Sequence, residues 1–381
     1  MITVKKICLI GGEGIGIEVV NSAKMILEAL NISNVEILEA YAGEEGEKKL
    51  GSTFPDETKE AIDGSDAVLF GATHKKAQGV LLYLRYGLDN FANIRPCKLY
   101  KGIITPLRGV KDIDFIIVRE NLEGLYSVIN VGEWNIKKLV RRGILREDKY
   151  KKFFHESNGY FATKIITEFG TRRIAELACE KTLERKNSGY PGKLTIVHKS
   201  NVMPSTDGLF KKEAYSTAQE YIKKYGIEVN DFYVDDMARR LVRFPEDQDV
   251  LLTVNEYGDI LSDLAAELVG GLGLAPSGCV GGKIPYFEPV HGSAPDIAGQ
   301  GIANPLAAIL SLKMLLEYFG FEEADLLEKS IEKYFRLMED VAKNWQYIPK
   351  DLVSKDFQEQ NKFGKTESIT NKIIEIMNGF I

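Results

Sequence analysis

No two of the four cysteines, Cys8, Cys97, Cys179 and Cys279, stand at a spacing that could hold a metal or staple a small fold. This excludes a zinc module and a disulfide-built secreted domain, and makes a reducing cytoplasm the expected compartment. Positive charge is also short: 49 Lys and Arg against 55 Asp and Glu give a formal charge of -6. A general nucleic-acid binder usually has the opposite balance, so no nucleic-acid partner is expected. The basic pairs Lys137-Lys138 and Arg141-Arg142 sit among acids in a charged, helix-forming stretch, residues 135–156, that reads as an exposed arm. Long apolar runs are missing. Residues 1–16 hold too few apolar side chains before their glycine turn for a signal peptide. The most apolar later stretch, residues 305–319, carries Lys313 and Glu317 and is too short to span a bilayer. It reads as a buried or interface helix, and no membrane partner is expected. Internal repeats and low-complexity linkers are absent as well.

What is present is an ordinary globular balance, 44% hydrophobic and 27% charged, over 381 residues, enough for two or three domain-sized units. Strand-like runs alternate with helical patterns: 6–10, then 17–30, 35–40, then 55–62, then 67–71. That alternation marks βαβ units and a largely parallel sheet, so the fold class is α/β. Further strands are expected at 115–118, 194–197, 231–234 and 250–254, with glycine and proline punctuation at 270–276 and 291–305.

Four features bear on chemistry. Gly12-Glu13-Gly14-Ile15-Gly16-Ile17 follows a strand and opens a helix, but Ile17 stands where a dinucleotide fingerprint has its third glycine. A tight turn explains it fully. Arg85, Arg95 and Arg119 lie next to apolar segments, where a guanidinium is expensive unless it meets carboxylates. Taken alone, three structural ion pairs would be the commoner explanation. Asp259 and Asp263 stand four residues apart on a helical pattern, with Asp235 before them after a strand. Such carboxylates repel unless a cation lies between them, and all-oxygen ligation suits Mg²⁺ or Mn²⁺; an isolated pair would more often be a solvated face. Finally, the loop from His291 through Gly292, Ser293, Ala294, Asp296 and Ile297 to Asn304 is rich in small residues that let a ligand approach the backbone.

In this order, from about Gly11 to Asn304, these pieces resemble the isocitrate/3-isopropylmalate dehydrogenases, the β-decarboxylating dehydrogenases. Glu13 and Ile17 depart mildly from the family's usual Gly-Asp-Gly-Ile-Gly-Pro-Glu turn. The resemblance implies a two-domain α/β fold without a Rossmann cofactor site. Residues 1–97 and 270–381 would form a large cofactor-binding domain, and 98–269 a small domain with the metal carboxylates and a dimer arm. The active site would lie in the cleft between them. It further implies that Arg85, Arg95 and Arg119 clamp the carboxylates of a malate core, and that Tyr126 and Lys199 are the catalytic acid and base, with Asn201 in support. Asp235, Asp259 and Asp263 would hold Mg²⁺ or Mn²⁺. Lys199 and Asp235 would enter from the neighbouring subunit, which makes a homodimer with a shared site part of the mechanism; pairing into a homotetramer stays open. The metal would act as a Lewis acid on the substrate hydroxyl, Lys199 would help remove its proton, and Tyr126 would protonate C3 after decarboxylation. The cofactor would lie along the 291–304 loop and near Thr73, with Glu288 also in reach. Asp296 favours NAD, because a carboxylate accepts from the ribose hydroxyl and repels a 2′-phosphate; NADP-preferring relatives carry a lysine-tyrosine pair in place of Asp296-Ile297.

The substituent pocket is expected just before the first arginine. Leu81 and Leu82 precede Arg85 by four and three residues, so a helix would aim all three one way. An apolar wall there suits 3-isopropylmalate, and isocitrate-using relatives carry Ser and Asn where this chain has Gly79 and Leu81. Against that, Gln78 stands where isopropylmalate members usually carry glutamate, the stretch between Tyr126 and Lys199 has the length of isocitrate members, and Thr105-Pro106-Leu107 resembles D-malate and tartrate members. Isocitrate, homoisocitrate, D-malate and tartrate therefore stay open. Retention of Tyr126, Lys199 and the aspartates speaks against a non-catalytic regulatory subunit.

Overall fold

The computed structural model describes residues 4–110, 112–127, 134–135 and 159–380, so the charged arm expected at 135–156 lies, apart from Asn135, outside the described residues. Strands β1 (Lys5–Gly12), β2 (Val35–Ala40), β3 (Ala67–Ala72), β4 (Ala92–Lys98) and β5 (Asp114–Glu120) are followed by a two-stranded ribbon, β6 (Trp134–Asn135) with β7 (Tyr160–Phe161). Then come β8 (Lys193–His198), β9 (Glu228–Tyr233), β10 (Val250–Thr253), β11 (Pro276–Val280) and β12 (Tyr286–Pro289). Ten of them form one sheet in the order β2-β1-β3-β12-β11-β4-β5-β10-β8-β9.

Both flanks of the sheet are parallel, as the βαβ alternation predicts. The middle is not: β12 with β11, β11 with β4, and β4 with β5 pair antiparallel. Sequence patterning passes over β4, β11 and β12 because each breaks strand composition, with Pro96 in the first, Pro276 and Gly278 in the second and only four residues in the third.

Helices cover the sheet: α1 (Gly16–Leu30), α2 (Gly43–Leu50), α3 (Asp56–Asp63), α4 (Gln78–Leu82), α5 (Glu168–Asn187), α6 (Thr206–Tyr225), α7 (Val234–Arg243), α8 (Asn255–Leu268), α9 (Leu306–Tyr318), α10 (Glu323–Phe335) and α11 (Thr366–Asn378). In α1 the buried Val19, Val20, Ala23, Ile26, Leu27 and Leu30 recur at helical spacing and pack on the sheet, and Asn31 ends the helix in the left-handed region. Helix α9 is buried around most of its girth, as expected of the apolar 305–319 stretch. No helix among the described residues is long and apolar enough to cross a membrane.

The glycine cluster after β1 is a packing turn. A Cβ on Gly12 would come 2.2 Å from the Ala72 carbonyl, and one on Gly16 would come 2.4 Å from the Ala72 nitrogen. The end of β3 thus fills the space at the start of α1 that a dinucleotide phosphate would need. Glu13 is buried in this turn, and its carboxylate accepts the N–H groups of His74, Lys76 and Ala77.

Candidate active site

Strand register gathers the first set of residues. In a sheet, residues directly opposite share a face, and so do residues two apart. Asn93 stands opposite Arg119 and Cys279, Cys279 opposite Tyr286, and Ile117 opposite Arg95. Asn93, Arg95, Arg119, Tyr286 and Glu288 therefore line one face across the antiparallel middle of the sheet. Arg85 reaches the same face from a π-helical turn, Tyr83–Gly87, that continues α4, with Nε 3.4 Å from the Tyr286 hydroxyl and Nη2 4.0 Å from Glu288.

Helix α8 lies across this face. Asn255 Oδ1 accepts both Nε and Nη2 of Arg119, at 3.0 and 2.7 Å, and Ser262 Oγ accepts Arg95 Nη1 at 2.6 Å. Asp259 bridges Arg119 and Arg95, and Asp263, one turn on, lies 3.7 Å from Arg95. Arg95 and Arg119 are buried. Burial, with the like charge of Arg95 beside it, loosens the proton of Arg119 to about 10. A face so rich in guanidinium favours an added anion. Two buried polar atoms on or beside it, Asn93 Nδ2 and Thr253 Oγ1, have no partner among the described residues.

Tyr126 joins the cluster from a 3-10 turn, Leu125–Ser127. The Arg119 guanidinium lies 5.8 Å from its ring centre, and burial together with Asp259 raises the pKa of its hydroxyl. The phenol is thus kept protonated beside the arginines.

Lys199 and Asp235 form a second, separate group. Lys199 follows β8, Asp235 opens α7, and the two are ion-paired to each other. His198 is fully buried; it accepts the Ser200 N–H at Nδ1, so Nε2 carries the proton that it donates to Asp231 at 2.8 Å. Asn201 is exposed in the same turn. Neither Lys199 nor Asp235 makes a hydrogen bond or ion pair to the arginine face among the described residues.

The 291–304 loop borders a cavity of about 310 Å³, lined by His291, Ile297 and Asn304 together with Ile15, Gly273, Lys350, Asp351 and Gln358. Asn304 Nδ2 donates to Asp351 at 3.0 Å, and burial raises the Asp351 carboxyl. His291 Nδ1 meets the Gly292 carbonyl, while Nε2 is buried without a partner among the described residues, and burial holds the ring neutral.

The family model for isocitrate/isopropylmalate dehydrogenases matches residues 6–373. The chain belongs to that family. It is accordingly an oxidoreductase, a decarboxylating dehydrogenase acting on a small molecule. The chain is 45% identical, over 87% of its length and 91% of the relative's, to "3-isopropylmalate/3-methylmalate dehydrogenase" of Methanocaldococcus jannaschii. It is 43% identical, over 86% and 89%, to "Isocitrate/homoisocitrate dehydrogenase" of Thermus thermophilus. Among solved structures, isocitrate dehydrogenase from Methylococcus capsulatus superposes with a TM-score of 0.80 at 32% identity, covering 98% of this chain and 99% of that one.

Members of this dehydrogenase family in general work with a nicotinamide dinucleotide and a divalent metal. The cavity beside the 291–304 loop suits one end of a dinucleotide, since it is lined by His291, whose Nε2 is unpartnered among the described residues, and by the apolar Ile15, Ile297 and Ile302. For the metal, α8 supplies two carboxylates of the right chemistry, and the Asp263 carboxyl is raised by burial and by Asp259. No three acidic, His or Cys side chains converge as a metal site among the described residues, and Asp235 is paired with Lys199. One chain thus brings together Asp259 and Asp263, while the third aspartate, Asp235, is the one expected from the neighbouring subunit.

Some placements differ from the sequence reading. The helical register assumed for Leu81, Leu82 and Arg85 is interrupted by the π-turn; Leu81 packs against a buried core cluster that includes Val80 and Leu84, whereas Leu82 is half-buried and joins no core cluster. Glu288, expected at the cofactor, lies 4.0 Å from Arg85. Thr73 is half-buried, and Gly292 and Asp296 are exposed on the loop rim. The Ser293 carbonyl accepts the Ile15 N–H, and Ala294 adopts a positive φ. Tyr286, Asp351 and Lys350 were not anticipated. Tyr286 could have been found by period-two reasoning from Glu288, but Asp351 has no local signal.

Proposed function

We propose that this dehydrogenase oxidises a 3-substituted D-malate with NAD and a divalent metal and releases carbon dioxide, with 3-isopropylmalate, converted to 2-oxoisocaproate, as the first substrate. The observation that carries the reading is the convergence of Arg85, Arg95 and Arg119 on one face, the latter two buried, where their forked donors match the two carboxylates of a dicarboxylate. Arg85, Arg95 and Arg119 would hold the two carboxylates, and Leu82, free of the core, would meet the substituent. Tyr126, protonated and beside Asp259, is suited to deliver a proton to C3. Lys199 would take the proton from the substrate hydroxyl, with Asn201 supporting its turn. Asp259 and Asp263 of one chain, with Asp235 of a second copy, would hold Mg²⁺ or Mn²⁺. Once bound, the cation supplies Lewis acidity at the hydroxyl and NAD accepts the hydride.

The separation of Lys199 and Asp235 from the arginine face supports a homodimer. Residues 1–97 and 270–381, which hold β1 to most of β4 with β11 and β12, form the large domain. Residues 98–269, which hold β5 to β10, form the small one. An exposed Asp296 beside the cofactor cavity supports NAD over NADP. The absence of cysteine pairing and of a membrane-crossing helix among the described residues supports a cytoplasmic enzyme. A second reading, isocitrate or homoisocitrate, has the Thermus relative in its favour.

The test follows NADH absorbance with purified protein, Mg²⁺ or Mn²⁺, and a panel of 3-isopropylmalate, isocitrate, homoisocitrate, D-malate and tartrate. Highest kcat/KM on 3-isopropylmalate with NAD is expected. A clear preference for a tricarboxylate would replace the substrate, and silence of folded protein on the whole panel would overturn the catalytic reading.

A further inference from the structure

One buried charge cluster lies outside the residues considered so far. The Lys164 ammonium sits 2.6 Å from Asp207 Oδ1 and 2.6 Å from Glu256 Oε1, with the Tyr257 hydroxyl at 3.4 Å and its ring centre at 4.5 Å. The Lys164 and Glu256 side chains are about nine-tenths buried and Asp207 is fully buried. Two carboxylates sharing one ammonium in the interior is a costly arrangement for stability alone, because each ion gives up its water.

The far oxygens of the two carboxylates show where the cluster acts. Asp207 Oδ2 accepts the backbone N–H of Lys199 at 2.7 Å. Glu256 Oε2 accepts the backbone N–H of Leu125 at 3.1 Å, next to Tyr126. The tyrosine turn wraps tightly over that carboxylate: Gly124 has a φ of +79° there, and a Cβ on it would come 2.5 Å from Oε2. The segment carrying Lys164 is itself tied to the same turn, since Gly124 and Ile165 exchange both backbone hydrogen bonds, at 2.7 and 3.2 Å. One ammonium thus joins the turn that carries Lys199 to the turn that carries Tyr126.

We infer that Lys164 is a positioning residue for the reaction, which through Asp207 and Glu256 fixes the backbone of the Lys199 and Tyr126 turns relative to each other. It touches neither substrate nor cofactor. The inference rests on the roles proposed above for Tyr126 and Lys199; with Lys199 serving the second copy's site, the cluster lies between the two catalytic centres of a dimer.

Lys164→Met keeps the stem and removes the charge, while Lys164→Arg keeps a cation able to bridge both carboxylates. In the full-length enzyme, Lys164→Met is expected to lower kcat about a hundredfold, the scale of an ångström-sized misplacement. KM for NAD and the circular dichroism spectrum should stay unchanged, and Lys164→Arg should recover at least a tenth of the wild-type rate. Should Lys164→Met fail to fold, Glu256→Gln serves instead: its amide oxygen still accepts Leu125 N–H and Lys164 keeps Asp207, and kcat should fall with KM for NAD unchanged. A folded variant with lowered melting temperature but wild-type kcat would make the cluster merely structural and overturn the inference. So would an Arg variant as slow as the Met one. Tyr126→Phe and Lys199→Ala run alongside separate the two levels: full activity in those variants sinks the catalytic roles, whereas their inactivity beside a fully active Lys164→Met sinks only the positioning role.

Discussion

Removing the Glu13 side chain should cost more stability than its place in a glycine turn suggests. Its Oε2 accepts the N–H groups of His74 and Ala77 at 2.7 and 2.8 Å, and Oε1 accepts that of Lys76 at a longer 3.3 Å. A hydrogen bond to a charged group contributes about 1.5–3 kcal/mol, so the two short ones together contribute roughly 3–6 kcal/mol. In Glu13→Ala, water can reach the exposed His74 amide but not that of the fully buried Ala77, which places the loss near 4 kcal/mol. Unfolding entropy of roughly 2.1 cal/mol/K per residue gives about 0.8 kcal/mol/K for this chain, so the melting temperature should fall by about 5 °C. Glu13→Gln is the control. One amide oxygen can take both short bonds as Oε2 does, so only the charge and the long contact are lost, at about 1–2 kcal/mol and near 2 °C. Because the 73–77 segment carries Thr73, KM for NAD should also rise in Glu13→Ala with kcat unchanged. Thermal melts and steady-state kinetics of both variants decide it. A shift below 1 °C in Glu13→Ala, or equal damage in both, would refute the account of three amides held by one carboxylate.

Three other changes test neighbouring parts of the molecule. Asp296→Lys should raise KM for NAD about tenfold, a change of about 1.4 kcal/mol, and improve use of NADP, because a lysine attracts the 2′-phosphate that the carboxylate repels; unchanged NAD affinity would remove Asp296 from the cofactor site. Leu82→Ala should lower kcat/KM for 3-isopropylmalate by roughly 10–200-fold while leaving D-malate nearly untouched, and an equal loss on both would place the leucine in packing. Burial raises Glu120 from 4.5 to about 7 against the pull of the Glu123 and Leu122 N–H groups. The native state therefore holds that proton more tightly than the unfolded chain, and the stability it contributes is full below pH 4.5 and lost as pH rises to about 7. That loss amounts to about 3 kcal/mol. Melting curves from pH 5 to 8 should show Glu120→Gln gaining on the wild type as pH rises, and parallel curves would discount the buried carboxyl.

Period-two and helical patterns made the parallel flanks of the sheet readable, since β2 and α1 depend on local alternation of apolar residues. The antiparallel centre was not readable in that way. Its strands are short and interrupted by proline and glycine, and their stability comes from neighbours on both sides. The same divide runs through the site. Arg95 and Arg119 stand out in sequence because buried guanidinium is costly. Asn93 and Tyr286, which share their face, are unremarkable until strand pairing sets them opposite. Lys164 and Asp351 lie still further from local patterning: each owes its setting to segments at least 40 residues away in sequence.

The separation of the two groups constrains how the site can be completed. Tyr126, the arginines, Asp259 and Asp263 meet on one face under α8, while Lys199 and Asp235 neutralise each other at the end of β8. In the single chain each of the two is occupied by the other and neither faces the arginines. Opposite a second copy's arginine face, Asp235 would find Asp259, Asp263 and a cation, and Lys199 would be released toward the substrate hydroxyl. The ion pair in the single chain then joins two groups whose partners would lie on another subunit. On this reading catalysis depends on association, and activity should fall with dilution in step with loss of the dimer. Activity that stays constant through complete dissociation would mean that Lys199 and Asp235 serve their own chain.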